Sequence, residues 1–359
     1  MADDARGRQR PPGALRLERD DADWAVDGYP TFMGCPLTLT VDDLRAEQPD
    51  VVIAGTPWDG AMGSAPGARY GPRAIRLAEY TGRRGGDWTH PVVRIDPFDH
   101  LSVVDHGDVA VVHGAPEKTF ARVRALVADV VGVGALPLLL GGDHSVTWPH
   151  VRGLTSVLGR GKVGVVHLDA HADTWPLADG EYTSHGSGMR QLIDGGDVAG
   201  EHFVQVGLRS STDRETLAYM EARGMRSQWM AEIRRSGLEA ALDRAVEEAL
   251  AGPEHLFLSV DIDVCDPAHA PGTGAPEPGG LTSGELLEAV RRIAHEVPLA
   301  GMDIVEVSPP HDTGVNITAV LAHRVAYEAL TGTAMRKAGG FAPGYADPRA
   351  AGGPPRRMS

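Results

Sequence analysis

Acidic and histidine residues gather at four places in this 359-residue chain, each at the end of an apolar run. Gly141-Gly142-Asp143-His144-Ser145 follows Pro137-Leu138-Leu139-Leu140, and Asp169-Ala170-His171-Ala172-Asp173 closes the run from Val163 to Leu168. Asp261-Ile262-Asp263 closes Leu256–Val260, and Glu306 closes Met302–Val305. In extended backbone, residues i, i+2 and i+4 point the same way, so Asp169, His171 and Asp173 are expected to converge, as are Asp261 and Asp263. With His144 this makes two imidazoles and four carboxylates. Four carboxylates at one buried rim repel one another and take up protons unless cations neutralise them. Two divalent ions match that charge. The mixed donor set suits a hard or borderline ion such as Mn²⁺, with Ni²⁺, Co²⁺, Fe²⁺ or Zn²⁺ as alternatives that the sequence does not separate. The expectation is a binuclear centre with His144, Asp169, His171, Asp173, Asp261 and Asp263 as metal ligands.

The elements that must position these residues are short. Strands are expected at Val51–Gly55, Leu101–Asp105, Leu136–Leu140, Val163–Asp169, Phe203–Leu208, Leu256–Asp263 and Leu299–Val307, several of them apolar at consecutive positions, as in strands covered on both faces. Helical spacing joins Phe120, Val123, Leu126, Val127 and Val130, and again Leu238, Leu242, Val246 and Leu250. Ser236 with Glu239 and Thr282 with Glu285 read as capping boxes. Strand alternating with helix implies an α/β fold, a parallel sheet with helices on both faces, whose ligands bind outside the carboxyl ends of the strands. No linker divides residues 45–335, which read as one catalytic domain between an N-terminal tail and lead segment (1–44) and a flexible C-terminal tail (336–359) rich in Gly, Pro, Ala and Arg.

Composition narrows the function. Asp plus Glu number 49 against 34 Lys plus Arg, a formal net charge of −15, which disfavours nucleic acid and anionic membranes and suits a small cationic ligand. Two cysteines, Cys35 and Cys265, supply neither a disulfide framework nor a Cys-type zinc site. The uncharged run from Val130 to Gly142 is too short to cross a bilayer, and the first residues carry no apolar signal region. The chain is expected to be soluble and cytoplasmic.

Taken together, GGDHS at 141–145, DAHAD at 169–173 and SVDIDVCDPAHAPGTGAPEPGG at 259–280 resemble the three signature motifs of the ureohydrolase (arginase/agmatinase) family. PGARYGPRAIR at 66–76, DHGDV at 105–109 and MDIVEVSPP at 302–310 extend the resemblance over roughly residues 45 to 332. It implies a three-layer α/β/α arginase-like fold with a mainly parallel sheet, two Mn²⁺ per subunit and a homotrimer or homohexamer. One ion would take His144, Asp169, Asp173 and Asp261; the other would take His171, Asp169, Asp261 and Asp263, with Asp169 and Asp261 bridging. Glu306 matches the carboxylate that pairs with the substrate guanidinium, and His185 matches a mobile proton-shuttling histidine. A guanidinium carbon is a poor electrophile, and two metals supply hydroxide at neutral pH to attack it. Asp173 is placed to orient that nucleophile, Asp173 or His185 to protonate the departing amine, and Glu306 to hold the cation through a planar, two-pronged contact.

The resemblance leans to the agmatinase and guanidino-acid side. Trp175 follows Thr174 where arginases carry an Asn that recognises an amino-acid head group, Ala275 stands where many members have Thr beside the guanidinium pocket, and the loop DGAMGSAPGARYGP departs from the usual pattern. The expected reaction is hydrolysis of a linear guanidino compound, agmatine or a guanidino acid such as 4-guanidinobutyrate, to urea and an amine. The alternatives are hydrolysis of free guanidine or another small or substituted guanidine, with nickel in place of manganese, and a non-catalytic partner subunit. His167 is read as holding a ligand carboxylate, Asp143 as capping its turn, Cys265 as core, and Arg69 and Arg73 as structural. Trp58, Trp175, His269, His311 and Asp312 are candidates for lining the substrate entrance.

Overall fold

The computed structural model describes residues 11–15, 31–78, 89–177, 184–342 and 345. Among them eight strands form one sheet: β1 (Val51–Gly55), β2 (Val103–Asp108), β3 (Leu136–Leu140), β4 (Val163–Leu168), β5 (Phe203–Val206), β6 (Arg226–Gln228), β7 (His255–Asp261) and β8 (Leu299–Val305). Their order is β2-β1-β3-β8-β7-β4-β5-β6, and every pairing is parallel. All seven strands expected from the apolar runs are present, with some ends displaced. β6 was not expected, because Arg226-Ser227-Gln228 carries no apolar run; it is an edge strand that pairs only with β5.

The helices are α1 (Val41–Glu47), α2 (Gly71–Leu77), α3 (Pro116–Gly132), α4 (Thr147–Leu158), α5 (Gly188–Asp194), α6 (Arg214–Ala222), α7 (Met230–Ser236), α8 (Leu238–Ala249), α9 (Ser283–Glu296) and α10 (Ile317–Ala338). Alternate strand residues serve opposite layers. Leu138, Val166 and Leu258 pack with Leu242 of α8, Val290 of α9 and Leu330 of α10. Leu139, Val165 and Phe257 pack on the other side with Val127 of α3, Leu154 of α4 and Leu192 of α5. Helix, sheet, helix is the three-layer α/β/α arrangement, and it explains why these strands need no polar face. Truncating one buried contact such as Leu154 to Ala would cost about 2–5 kcal/mol.

Capping follows the sequence once and departs from it once. Thr282 Oγ1 accepts the Glu285 N–H at 3.2 Å while Glu285 Oε2 accepts the Thr282 N–H at 2.7 Å, completing the expected box at the start of α9. Ser236 and Glu239 form none. Gly237, at φ +87, separates α7 from α8, and the Ser236 hydroxyl donates to the Glu232 carbonyl at 3.0 Å. Helix α1 runs across the 44/45 division, and the lead before it is tied to the core: Phe32 is buried and its N–H donates to Asp105 Oδ2 at 2.8 Å. Helix α10 continues three residues past Met335, beyond the start expected for the C-terminal tail. The charged N-terminal stretch and most of the Arg-rich C-terminus lie outside the described residues.

For the site, one feature of the topology matters most. The four strands that end in acidic residues or the GGDHS turn (β3, β8, β7 and β4) are consecutive neighbours. Leu140 is level with Ile304, Ile304 with Val260, and Val260 with Leu168, so their carboxyl ends finish in step at one rim.

Candidate metal centre

Loops, rather than the strand pleat, aim the side chains. β4 ends at Leu168 and β7 at Asp261, so Asp169–Asp173 and Asp261–Asp263 are not extended as strand parity required. Asp173 takes left-handed backbone, φ +49, which a non-glycine residue adopts only when its surroundings enforce it. Ile262–Val264 is a 3-10 turn in which Asp261 Oδ1 accepts the Asp263 N–H at 2.9 Å. Asp169 Oδ1 accepts the His171 N–H at 2.6 Å, and Asp263 Oδ1 accepts the Ala170 N–H at 3.2 Å. His144 opens a second 3-10 turn, His144–Val146, capped by Asp143. Gly142 permits this placement, since a Cβ there would lie 1.7 Å from the Trp58 carbonyl oxygen that accepts the Asp143 N–H.

The result is a convergence of acceptors. His144 Nδ1 lies 3.0 Å from Asp169 Oδ2, 3.0 Å from Asp173 Oδ2 and 3.0 Å from Asp261 Oδ2. A buried relay decides the tautomer of His144. Ser259 Oγ donates its proton to Asp303 Oδ1 at 2.7 Å, so at 3.0 Å from His144 Nε2 it accepts, and the imidazole proton sits on Nε2. Asp303 Oδ2 is held in turn by the Thr147 hydroxyl at 2.7 Å and by His150 Nδ1 at 2.8 Å. Nδ1, which carries a lone pair in the neutral ring, faces three carboxylate oxygens that, against the opposing effect of burial, together raise the imidazolium well above its ordinary range, and among the described residues both Nδ1 and Asp169 Oδ2 are buried without a hydrogen-bond partner. Donors set at right angles about 2.1 Å from one cation lie about 3.0 Å apart, so the spacing fits a metal ion.

Asp169, His171 and Asp263 form a second set, their donor atoms within 4.8 Å of one another. His171 Nδ1 lies 3.0 Å from Asp263 Oδ2 and 3.6 Å from Asp169 Oδ1. Asp169 thus turns one oxygen to each set. His167 Nε2 lies 3.0 Å from Asp169 Oδ2 without hydrogen-bonding to it and falls within the first donor set, its ring stacked on His144 at 4.8 Å.

Electrostatics show what cations relieve. Burial, reinforced by Asp263 and Asp169, raises the Asp261 carboxyl well above its ordinary range; burial and Asp169 push Asp263 up to about 6. Burial opposes the His171 cation, but Asp263 and Asp169 outweigh it and raise the imidazole to about 12. Without metal these groups share protons; divalent ions replace those protons.

Glu306 follows β8 in left-handed backbone, φ +62, with a carboxylate only 2% exposed. Its Oε1 accepts the His144 N–H at 2.8 Å and faces His185 Nδ1 at 2.9 Å, while Oε2 is buried and, among the described residues, unpartnered. The two-pronged contact expected of Glu306 is thus reduced to one free oxygen. Burial opposes the His185 cation, yet Glu306, Asp173 and Asp143 raise it to about 9. Burial and Glu306 push Asp143 up to about 7.

The remaining expected residues divide. Trp175 is 47% exposed, its N–H donates to the Gly186 carbonyl at 2.9 Å and its ring covers Gly186, next to His185. Ala275 follows Gly274, which adjoins Glu306. Trp58 is buried against Phe120, Asp312 accepts the Thr318 N–H at the start of α10, and His269 Nδ1 lies 3.3 Å from the Ser283 hydroxyl. His311 Nε2 lies 3.1 Å from the Ala65 carbonyl. Arg69 pairs with Asp59 as a structural residue. Ser259, Asp303, His150 and Gln205, whose amide donates to the Ala172 carbonyl at 2.8 Å, were missed. The available signal was polar residues inside strands buried on both faces.

Comparison with known proteins gives the same assignment. The Arginase family matches residues 49–332. Guanidinopropionase of Pseudomonas aeruginosa is 39% identical over 84% of this chain and 91% of its own length. Mitochondrial agmatinase of Gallus gallus is 37% identical over 82% of this chain and 84% of its own. The solved structure of proclavaminate amidino hydrolase from Streptomyces clavuligerus superposes with a TM-score of 0.75 at 34% identity, covering 86% of this chain and 98% of that one. The chain belongs to the arginase family. It is a hydrolase on the agmatinase side of that family.

Proposed function

We propose that this chain is a binuclear-metal amidinohydrolase that splits a small guanidino compound, agmatine or a guanidino acid such as 4-guanidinobutyrate, to urea and an amine. The observation that carries this reading is the convergence of His144 Nδ1 and three carboxylates, each 3.0 Å from it, beside a Glu306 oxygen that is buried and, among the described residues, unpartnered. His144, Asp169, His171, Asp173, Asp261 and Asp263 would hold two Mn²⁺ per chain, or Ni²⁺ in their place. Such ions supply, when bound, a water acidic enough to be a nucleophile at neutral pH. Glu306 Oε2 binds the guanidinium by a charge-assisted hydrogen bond and orients it. His185 holds a proton at Nδ1 against Glu306 and carries one to the departing amine, and the Asp173 carboxylate accepts a proton on the metal side. Trp175 and Ala275 bound the substrate.

Relatives named for an acid, guanidinopropionate, and for an amine, agmatine, both support a guanidino substrate. No helix among the described residues is long and apolar enough to cross a membrane. One catalytic unit that takes in α1 and the whole of α10, a cytoplasmic location and a homotrimer or homohexamer complete the reading. Urea release after reconstitution with Mn²⁺ or with Ni²⁺ tests it, on agmatine, 4-guanidinobutyrate, 3-guanidinopropionate, arginine and guanidine. Urea from one of these with two ions per chain supports it; two ions and no urea from any of them rejects these substrates.

A further inference from the structure

We infer that Met62 is a specificity-determining residue that makes this pocket select guanidines with a cationic or uncharged tail over guanidino acids. The inference rests on the amidinohydrolase reading and narrows its substrate. Met62 lies in the loop after β1, partly buried, and its terminal methyl occupies the space a side chain at Gly274 would fill: a Cβ there would be 2.4 Å from Met62 Cε and 3.8 Å from Glu306 Oε2. The free oxygen of Glu306 therefore adjoins the bare backbone of Gly274, and the Met62 methyl fills the space beside that same glycine. Ala65 borders that space. It is held in left-handed backbone, φ +49, and its carbonyl lies 3.4 Å from that same Cβ position and 3.1 Å from His311 Nε2.

A guanidinium on Glu306 Oε2 has its charge met by the carboxylate and its hydrocarbon substituent met by the Met62 methyl, an adaptable apolar contact. A carboxylate carried on a short tail fares differently. Among the described residues, the arginines that border these loops spend part of their guanidinium on other partners: Arg69 Nε on Asp59, Arg190 Nε on the Thr174 carbonyl while its Nη2 is buried and unpartnered, and Arg209 on the carbonyls of Asp263, Cys265 and Glu277. His185 already faces Glu306. An anionic tail would be desolvated beside Glu306 with a methyl thioether where it needs a donor, which rejects it more strongly than a neutral tail.

Three guanidines of matched length separate the terms: agmatine with a cationic tail, butylguanidine with none, and 4-guanidinobutyrate with an anionic one. The metal-loaded chain is expected to show kcat/KM at least about tenfold higher for the first two than for the acid. Met62→Arg is expected to raise the acid and lower agmatine by a similar factor, whereas Met62→Leu keeps the wild-type order. Urea from any of the three establishes the reaction independently of the preference. Calorimetric binding of the same compounds reads the preference without turnover, so a charge-ordered affinity sustains the inference even where no urea forms. Equal or better use of the acid by the wild-type chain overturns it, as does a Met62→Arg effect that is the same for all three, or no binding of any.

Discussion

Glu306 Oε1 lies 2.9 Å from His185 Nδ1, and the same oxygen accepts the His144 N–H, so one oxygen of this carboxylate organises the protein while the other is left for a ligand. Replacing Glu306 by Gln retains an acceptor for the His144 N–H but removes the charge that pairs with a guanidinium. Losing one partner of a buried charged pair costs about 3–5 kcal/mol, which corresponds to more than a hundredfold in kcat/KM. The expected outcome is urea release reduced by at least that factor with metal content, measured by elemental analysis, unchanged. Undiminished turnover would remove Glu306 from substrate binding.

Ser259→Ala tests the relay behind His144. Without the hydroxyl between His144 Nε2 and Asp303 Oδ1, nothing fixes the proton on Nε2, and the ring loses the bond that aims Nδ1 at the carboxylates. Metal affinity is expected to fall by about 10–100-fold with the far-ultraviolet circular dichroism unchanged. Competition with a chromophoric chelator measures it, and Ser259→Thr, which retains a hydroxyl, should recover much of the loss. Equal affinities in Ala, Thr and wild-type chains would show that the relay does not tune the metal.

These two residues also show what a sequence conveys. The six candidate ligands and Glu306 were legible because each stands at the end of an apolar run, and parallel strands bring such ends to one rim whatever their order. The order itself, with β3, β8, β7 and β4 side by side, was not legible, since it depends on crossovers that the runs do not encode. Strand parity does not account for the convergence: Asp173 is turned toward His144 by left-handed backbone after β4 has ended. Ser259 and Asp303 look like single polar interruptions of buried strands until β7 and β8 pair level, placing one opposite the other. Met62 carries no chemical signal at all; only the void at Gly274 gives it a role.

Removing metal should destabilise the fold, because Asp169, Asp173, Asp261 and Asp263 are all buried at one rim and repel one another. A ligand that binds only the native state adds about 2.7 kcal/mol at 100 times its Kd. Dialysis against a chelator is expected to lower Tm, and titration with Mn²⁺ to restore it progressively with concentration. Mg²⁺, which prefers oxygen donors and keeps its waters, should restore less at equal concentration. A Tm insensitive to chelator and to Mn²⁺ would count against a resident metal.

The pairing of His185 with Glu306 predicts a pH dependence with a definite sign. Burial opposes the imidazolium, but the hydrogen bond and charge of Glu306, with Asp173 and Asp143, raise it from its ordinary 6.5 to about 9. A histidine whose native value is raised stabilises the fold fully below its unfolded value, and that contribution is lost as pH climbs through the native value. In the metal-free chain, the stability gap between wild type and His185→Asn should be constant below about pH 6, shrink between 6.5 and about 9, and be gone above that. Denaturant unfolding at a series of pH values measures the gap. With metal bound, the added positive charge disfavours the imidazolium, so the shrinkage should begin at lower pH. A gap that stays flat from pH 6 to pH 10 would mean that His185 sits neutral against Glu306, and its role as a proton carrier would have to be given up.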